Sequence, residues 1–172
     1  KCENLTVITI PNVIEIIGRH VLFGKNILTG FTLPETIKVL NNNTFFEHDI
    51  NTIIIPNNIT KIGKYAFFKC KSLTNIIIPS SITEIGSYAF YKCISLTNII
   101  IPNGVTKIKK FTFAVCTSIS SIRLPNSLQF IETGAFYNCL FIQEVIIPYN
   151  TVIENAAFYG CNFTTPKRFS KN

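Results

Sequence analysis

The stretch that decides the fold runs from Leu73 to Leu96 and reads LTNIIIPSSITEIGSYAFYKCISL. Its first half predicts a short β-strand. Ile76 and Ile78 fall on one face of an extended segment, because side chains alternate along a strand. Pro79 ends this strand, because proline has no N–H to give to a ladder of hydrogen bonds.

The second half of the same stretch predicts a path that curves back to the next strand. Ile82 and Ile85 continue the apolar pattern, and Gly86 permits a tight bend. The residues 88–90, Tyr-Ala-Phe, predict a compact, 3₁₀-like turn on the far side. Cys93 and Leu96 then return the chain to the next strand.

This unit recurs along the chain with a period of about 23 residues. Proline recurs at Pro11, Pro34, Pro56, Pro79, Pro102, Pro125 and Pro148. Phenylalanine recurs in a second column at Phe45, Phe67, Phe90, Phe113, Phe136 and Phe158. One such coil cannot bury its own apolar face, but stacked coils bury a continuous core. The chain is therefore predicted to be a repeat solenoid.

The segments Leu-x-x-Ile-x-Ile-Pro, Ile-Gly-x-x-Ala-Phe and Cys-x-x-Leu closely resemble the leucine-rich repeats of the BspA-like family. The resemblance covers nearly the whole chain and is strongest from Ile50 to Phe163. It implies a β-rich leucine-rich-repeat solenoid of the curved, α/β-type repeat, with a parallel concave sheet and short 3₁₀ or irregular convex turns. We expect about seven coils over residues 1–163, followed by a basic tail at 164–172.

The composition excludes several classes of protein. The 172 residues are 47% hydrophobic and 15% charged, which is too apolar for a disordered chain. Every apolar run is shorter than the roughly 18–20 residues that a membrane-spanning helix needs. Methionine is absent and the start continues a repeat, so we expect neighbouring repeats or self-association through uncapped ends. The location stays open between the cytoplasm and the cell surface or peripheral plasma membrane.

The cysteines are predicted to form a structural ladder of buried, reduced thiols. The column consists of Cys70, Cys93, Cys116, Cys139 and Cys161. Their spacing is far from that of zinc ligands, so we predict no metal site and no cofactor. Neighbouring thiols would point the same way, and bridging them as disulfides would need distortion.

Catalysis is not predicted. The only histidines are His20 and His48, and neither lies in a recognisable motif. His48 takes a cysteine slot beside Cys70, but no third residue follows that would orient such a pair. We expect a non-enzymatic protein.

The net charge of +7 gathers in two lysine groups, near residues 61–71 and 107–110. Such a patch could attract an acidic partner. Exposed turns are commonly charged, however, and the basic–aromatic alternation of a nucleic-acid reader is missing. The sequence therefore argues against nucleic-acid binding.

The strand face turned away from the core is the main candidate site. In each unit, the residue between the two buried strand positions should point into the concave side. The predicted contact residues are Ile54, Ile77, Ile100, Arg123 and Ile146, with the flanking Asn75 and Asn98. An exposed apolar ridge of this kind typically marks an interface. BspA-like relatives are often surface proteins that adhere to host matrix proteins, which implies adhesion as one function.

An alternative function comes from a linear motif. Arg19, Val21 and Phe23 match the basic-x-Val-x-Phe pattern with which partners dock onto serine/threonine protein phosphatase 1. Such a segment binds as an added strand whose Val and Phe fill two pockets. The repeat phase assigns Val21 to the core, so docking would require this repeat to open. The predicted partner is therefore a host matrix protein or a cellular protein such as a phosphatase.

Overall fold

The structure is a computed structural model that describes residues 9–18, 32–162 and 167–168. Within these residues it contains twelve short β-strands and no helix. The strands are β1 Val39–Leu40, β2 Thr52–Ile54, β3 Lys61–Ile62, β4 Asn75–Ile77, β5 Glu84–Ile85, β6 Asn98–Ile100, β7 Lys107–Ile108, β8 Ser121–Arg123, β9 Phe130–Ile131, β10 Ile146–Ile147, β11 Val152–Ile153 and β12 Lys167–Arg168.

The predicted concave sheet is confirmed as a track of parallel strands. β2 pairs with β4, β6 pairs with β8, and β10 pairs with β12, all in parallel. The register places Ile54 opposite Ile77 and Ile100 opposite Arg123. The described residues form about five turns of solenoid, fewer than the predicted seven. Part of the first predicted coils falls on residues 1–8 and 19–31, outside the described part.

A second parallel track was not predicted. β1, β3 and β5 form one three-stranded sheet, and β7, β9 and β11 form another. Each strand has two residues, of which the second is a buried aliphatic side chain in all but β11, where it is half-buried. Two residues are too few to show the alternation that identifies a strand in a sequence. The coil therefore has two strand-bearing sides, not one.

The convex side consists of successive tight turns and not of a 3₁₀-helix. The N–H groups of Ala89, Tyr91 and Cys93 donate to the carbonyl oxygens three residues earlier, at 3.1–3.2 Å. Between these turns, Tyr88 and Lys92 adopt left-handed backbone conformations, each with φ of 58°. Left-handed residues interrupt a helix, and they let alternate N–H groups bond to the next coil. The N–H of Tyr88, for example, donates to the Lys110 carbonyl at 3.0 Å.

The core is a column of stacked phenylalanine rings. The rings from Phe45 to Phe158 lie parallel, with centroids 5.1–5.4 Å apart in successive coils. This distance is close to the spacing of neighbouring strands, so one ring per coil fills the interior without a gap. The first five rings of the column are fully buried.

Gly86 is required for a different reason from the predicted bend. Its φ does not lie in the left-handed region, which in this stretch is occupied by Tyr88 and Lys92. A Cβ at Gly86 would lie 2.5 Å from the backbone nitrogen of Lys64 and 2.6 Å from the carbonyl carbon of Gly63. The backbones of two coils thus approach more closely here than any side chain allows.

We predict that Gly86→Ala lowers the free energy of unfolding by roughly 2 kcal/mol or more, because the added methyl group would push two coils apart. Urea denaturation followed by circular dichroism measures this change. Ser87→Ala, at the next position, is the matched control and should stay within about 0.5 kcal/mol of wild type. Equal stability of Gly86→Ala and wild type would contradict the close-approach argument.

Candidate functional site

The concave track places three isoleucines side by side on the surface. Ile54, Ile77 and Ile100 are 74%, 75% and 61% exposed. Their neighbours on both sides in each strand point inward and are buried, as Ile76 and Ile78 show around Ile77. Because side chains alternate along the strand, isoleucines of one strand lie both in the core and on the surface. We call Ile54, Ile77 and Ile100 the isoleucine ridge.

The exposed residues beside the isoleucine ridge within its own three coils carry no charge. The exposed residues that flank it in the same three coils are Thr52, Asn57, Asn75, Ser80, Asn98 and Asn103. Just before the strands, hydroxyl groups form a ladder between coils. Thr74 donates to the Asn51 carbonyl and Thr97 donates to the Thr74 carbonyl, both at 3.3 Å. The ridge is thus an apolar strip inside a neutral, hydrogen-bonding surface.

Two charged residues mark the ends of the ridge. Arg123 follows Ile100 in the strand register and is exposed. At the other end, a shallow cavity of about 440 Å³ lies against Ile54 and Ile77, and Glu35 also lines this cavity. The sequence indicated Arg123 but gave no reason to select Glu35, because it lies after a proline in the preceding coil.

Beyond Arg123 the concave track continues to Ile146, which is 45% exposed. Part of the predicted basic tail pairs here as β12, with Lys167 opposite Ile146. The Lys167 ammonium lies 3.1 Å from the carboxylate of Glu144. The Arg168 guanidinium donates to the carbonyl oxygen of Tyr149 at 2.5 Å. These two tail residues therefore cover the last strand of the concave track.

The sequence matches the family model of the BspA-type leucine-rich repeat region over residues 1–83 and 40–164. The two matched ranges together cover nearly all of the chain. The chain belongs to the BspA-type leucine-rich repeat family. Leucine-rich repeat scaffolds are typically non-enzymatic and bind other proteins. Among proteins of curated function, none matches the sequence significantly.

Solved structures of bacterial leucine-rich repeat proteins share this fold. A protein from Eubacterium ventriosum is 25% identical with a TM-score of 0.84, over 94% of this chain and 44% of its own. One from Bacteroides ovatus is 26% identical with a TM-score of 0.74, over 93% and 48%. The T. pallidum protein TpLRR is 24% identical with a TM-score of 0.61, over 81% and 72%. The chain spans less than half the length of the first two.

The cysteines of these BspA-type repeats form one column. The described cysteines are free thiols, and all except Cys161 are buried. Each thiol donates to the carbonyl of a phenylalanine in the preceding coil, as Cys93 does to Phe67 at 3.1 Å. Burial raises the pKa of Cys70 to about 12 and that of Cys161 to about 11. These thiols stay protonated at neutral pH, which is the opposite of an activated nucleophile.

We predict six free thiols after denaturation without reductant, and slow modification in the native protein. In the native state at pH 8, thiols of the buried column should react with a disulfide reagent roughly a hundredfold more slowly than after unfolding, because burial suppresses the thiolate. Cys161, which is only partly buried, should react first among the described cysteines. Reagent titration with and without guanidinium measures both quantities. The detection of three disulfides would contradict the ladder.

His48 occupies the cysteine slot of the second repeat and is buried there, with 2% of its surface exposed. Its Nδ1 atom has no hydrogen-bond partner, and its ring meets the edge of Phe45 at a centroid distance of 6.4 Å. Desolvation lowers the pKa of His48, and the nearby Asp49 opposes this only in part. The burial of an uncharged imidazole therefore links folding to pH.

The sign of this link follows from proton binding. Because the pKa of His48 is lower in the folded state than its ordinary value of 6.5, the unfolded chain binds more protons below pH 6.5. Stability should therefore fall as the pH falls from 6.5 through the folded pKa.

We predict that His48→Cys, the residue of the other coils, removes this acid sensitivity. Between pH 7.5 and 5.5, wild type should lose up to about 1.4 kcal/mol more than the variant. Urea denaturation at the two pH values measures the difference. The carboxylates with lowered pKa, Glu84 and Glu154, titrate below this window and are common to both proteins. Identical pH dependence of the two proteins would contradict the assignment.

Lysines of the two predicted groups contact carboxylates and aromatic rings of this chain. Glu84 lies 2.9 Å from Lys61 and 2.5 Å from Lys109, so one carboxylate joins two lysines. Lys69 pairs with Glu47 at 2.6 Å. Other lysines lie over aromatic rings, as Lys107 lies 4.6 Å from the centroid of Phe130.

The remaining predicted site lies outside the described residues. Arg19, Val21 and Phe23, the basis of the phosphatase hypothesis, fall in the range 19–31. Phosphatase docking therefore stays a prediction from the sequence pattern alone. Among the residues that the structure describes, no three potential ligands cluster as a metal site. None of these residues forms a helix that could cross a membrane.

Proposed function

We propose that this chain binds a protein partner through the concave face centred on the isoleucine ridge. The observation that carries this proposal is the exposure of 61–75% at three isoleucines in adjacent coils. β-Branched residues favour strands, but threonine would serve the strand equally well without exposing an apolar side chain. Thr32 and Thr52 take outward strand positions in the same track. A contiguous apolar strip on the surface is typical of an interface.

The neutral border of the ridge supports the same proposal. Charged residues are depleted in the cores of protein interfaces, because burying an unpaired charge is costly. This protein has a net charge of +7, yet the exposed flanking residues of the three ridge coils are uncharged. The amide groups of Asn75 and Asn98 can satisfy polar groups of a partner at this border. The charged residues next to the ridge, Arg123 and Glu35, lie at its two ends.

The backing of the ridge supports tight binding. Each ridge strand lies on a buried isoleucine, such as Ile53 or Ile99, and on the phenylalanine column. The backbone of the ridge is therefore fixed before a partner arrives. Ordering of flexible groups is a main cost of association, and this site avoids most of that cost for the backbone.

The finer proposal is adhesion. Resemblance to BspA-like surface proteins supports a host matrix protein as the partner class. The repeats of this chain would then form part of a surface that attaches cells to such a protein. A flat, rigid, apolar strip suits this role because it needs no conformational change on contact.

The test compares two isoleucine-to-aspartate variants. Ile77→Asp places a charge at the centre of the ridge, whereas Ile94→Asp places one at an exposed isoleucine outside the strand tracks. We expect Ile77→Asp to weaken binding at least about 30-fold, as loss of an interface centre does. Ile94→Asp should bind as wild type does. Immobilised matrix proteins and peptides selected on the wild-type protein serve as binding targets.

Thermal unfolding of both variants shows whether the fold is retained. Binding of Ile77→Asp at wild-type strength to every target would overturn the proposed site. Binding of selected peptides with no binding to any matrix protein would retain the site and overturn adhesion.

A further inference from the structure

We infer that the partner of the isoleucine ridge is a short apolar segment that carries a carboxylate at one end, where it pairs with Arg123. This inference rests on the proposed function, because it specifies the chemistry of the same site. It adds an orientation, since the acidic end of the segment must lie toward the C-terminal coils.

Arg123 is a continuation of the ridge and not a separate feature. It lies opposite Ile100 in the parallel register of β6 and β8, so its side chain takes the next position in the column. By the 23-residue period, Ile146 holds the equivalent position in the following coil. The cation is therefore bordered by Ile100, the last isoleucine of the ridge.

The other cations of this region already have partners. Lys167 pairs with Glu144, and Arg168 donates to the carbonyl oxygens of Tyr149 and Thr151. Among the described residues, no carboxylate forms an ion pair with Arg123. Its guanidinium is thus an exposed charge that has no acidic partner among the described residues.

The chemistry of arginine specifies the group it would receive. A planar guanidinium matches the geometry of a carboxylate through two parallel hydrogen bonds. A partner that covers the isoleucine ridge would exclude water from the Ile100 side of Arg123. An ion pair is stronger in such a setting than on an open surface, whereas Arg123 left without an acid would oppose binding.

The opposite end of the ridge excludes the reverse orientation. Glu35 lines the shallow cavity beside Ile54. A carboxylate of the partner placed there would meet a like charge, and a carboxylate at Arg123 would meet an opposite one. The two ends therefore discriminate between the two directions of the segment along the solenoid axis.

The length of the segment follows from the spacing of the strands. Ile54 and Arg123 are three strand spacings apart, or about 14 Å. An extended segment covers this distance with about four residues, and a helix covers it with about nine or ten. A random peptide of twelve residues can therefore span the ridge in either conformation.

The experiment is selection from a phage-displayed library of random dodecapeptides. Selections are made on wild type, Arg123→Glu and Ile77→Asp, with Lys71→Glu as a charge-reversal control at an exposed position outside the strands. We expect wild type and Lys71→Glu to select apolar peptides with an Asp or Glu near one end. Arg123→Glu should select Lys or Arg at that place.

Individual peptides then provide a charge swap. A peptide selected on wild type should bind Arg123→Glu at least about tenfold more weakly, and replacement of its acid by lysine should restore binding to that variant. Acidic enrichment that persists on Arg123→Glu would overturn the inference, as would apolar peptides with no charge preference.

The two proposals fail in different ways. If the peptides depend on Ile77 but not on Arg123, the ridge remains a binding site and the acidic partner is wrong. If the peptides that wild type selects bind Ile77→Asp equally well, the proposed function itself is wrong. Circular dichroism of all variants shows that each result refers to folded protein.

Discussion

The structure depends on the contact between equivalent residues of successive coils. Backbone hydrogen bonds hold the coils at strand spacing, and the phenylalanine rings stack at 5.1–5.4 Å within that spacing. Neither interaction exists in one coil alone. A residue is therefore tolerated when it packs against the equivalent residue of the neighbouring coil. Gly86 is a strict case, because the Lys64 backbone leaves no room for a Cβ.

The same dependence explains how much the sequence could reveal. The strand Asn75–Ile77 and the inward direction of Ile76 follow from alternation and from Pro79, which are local properties. The second track could not be predicted, because Glu84–Ile85 is a strand only through its pairing with Lys61–Ile62. The left-handed conformation of Tyr88 could not be predicted, for a related reason. Tyrosine rarely adopts it, and the bond from Tyr88 to Lys110 in the next coil stabilises it.

Departures from the repeat show how the inward slots accept other residues. The cysteine slot accepts His48, although its Nδ1 then loses hydrogen bonding. The alanine slot accepts Thr112, whose hydroxyl donates to the Lys109 carbonyl at 2.8 Å. The chain compensates locally for the change at Thr112 but not at His48. The outward strand column does not fill the core, so packing in the interior does not dictate the residues found there.

Because the core does not dictate them, the residues of the outward column are informative about binding. Isoleucine at Ile54, Ile77 and Ile100 does not fill the core, and it increases the apolar area in contact with water. Arginine at the next position breaks the apolar series, and no acid in the described part of the chain pairs with it. A column that only supported strands would need neither the apolar surface nor the isolated cation. Both are accounted for by one bound segment that covers the isoleucines and ends in a carboxylate.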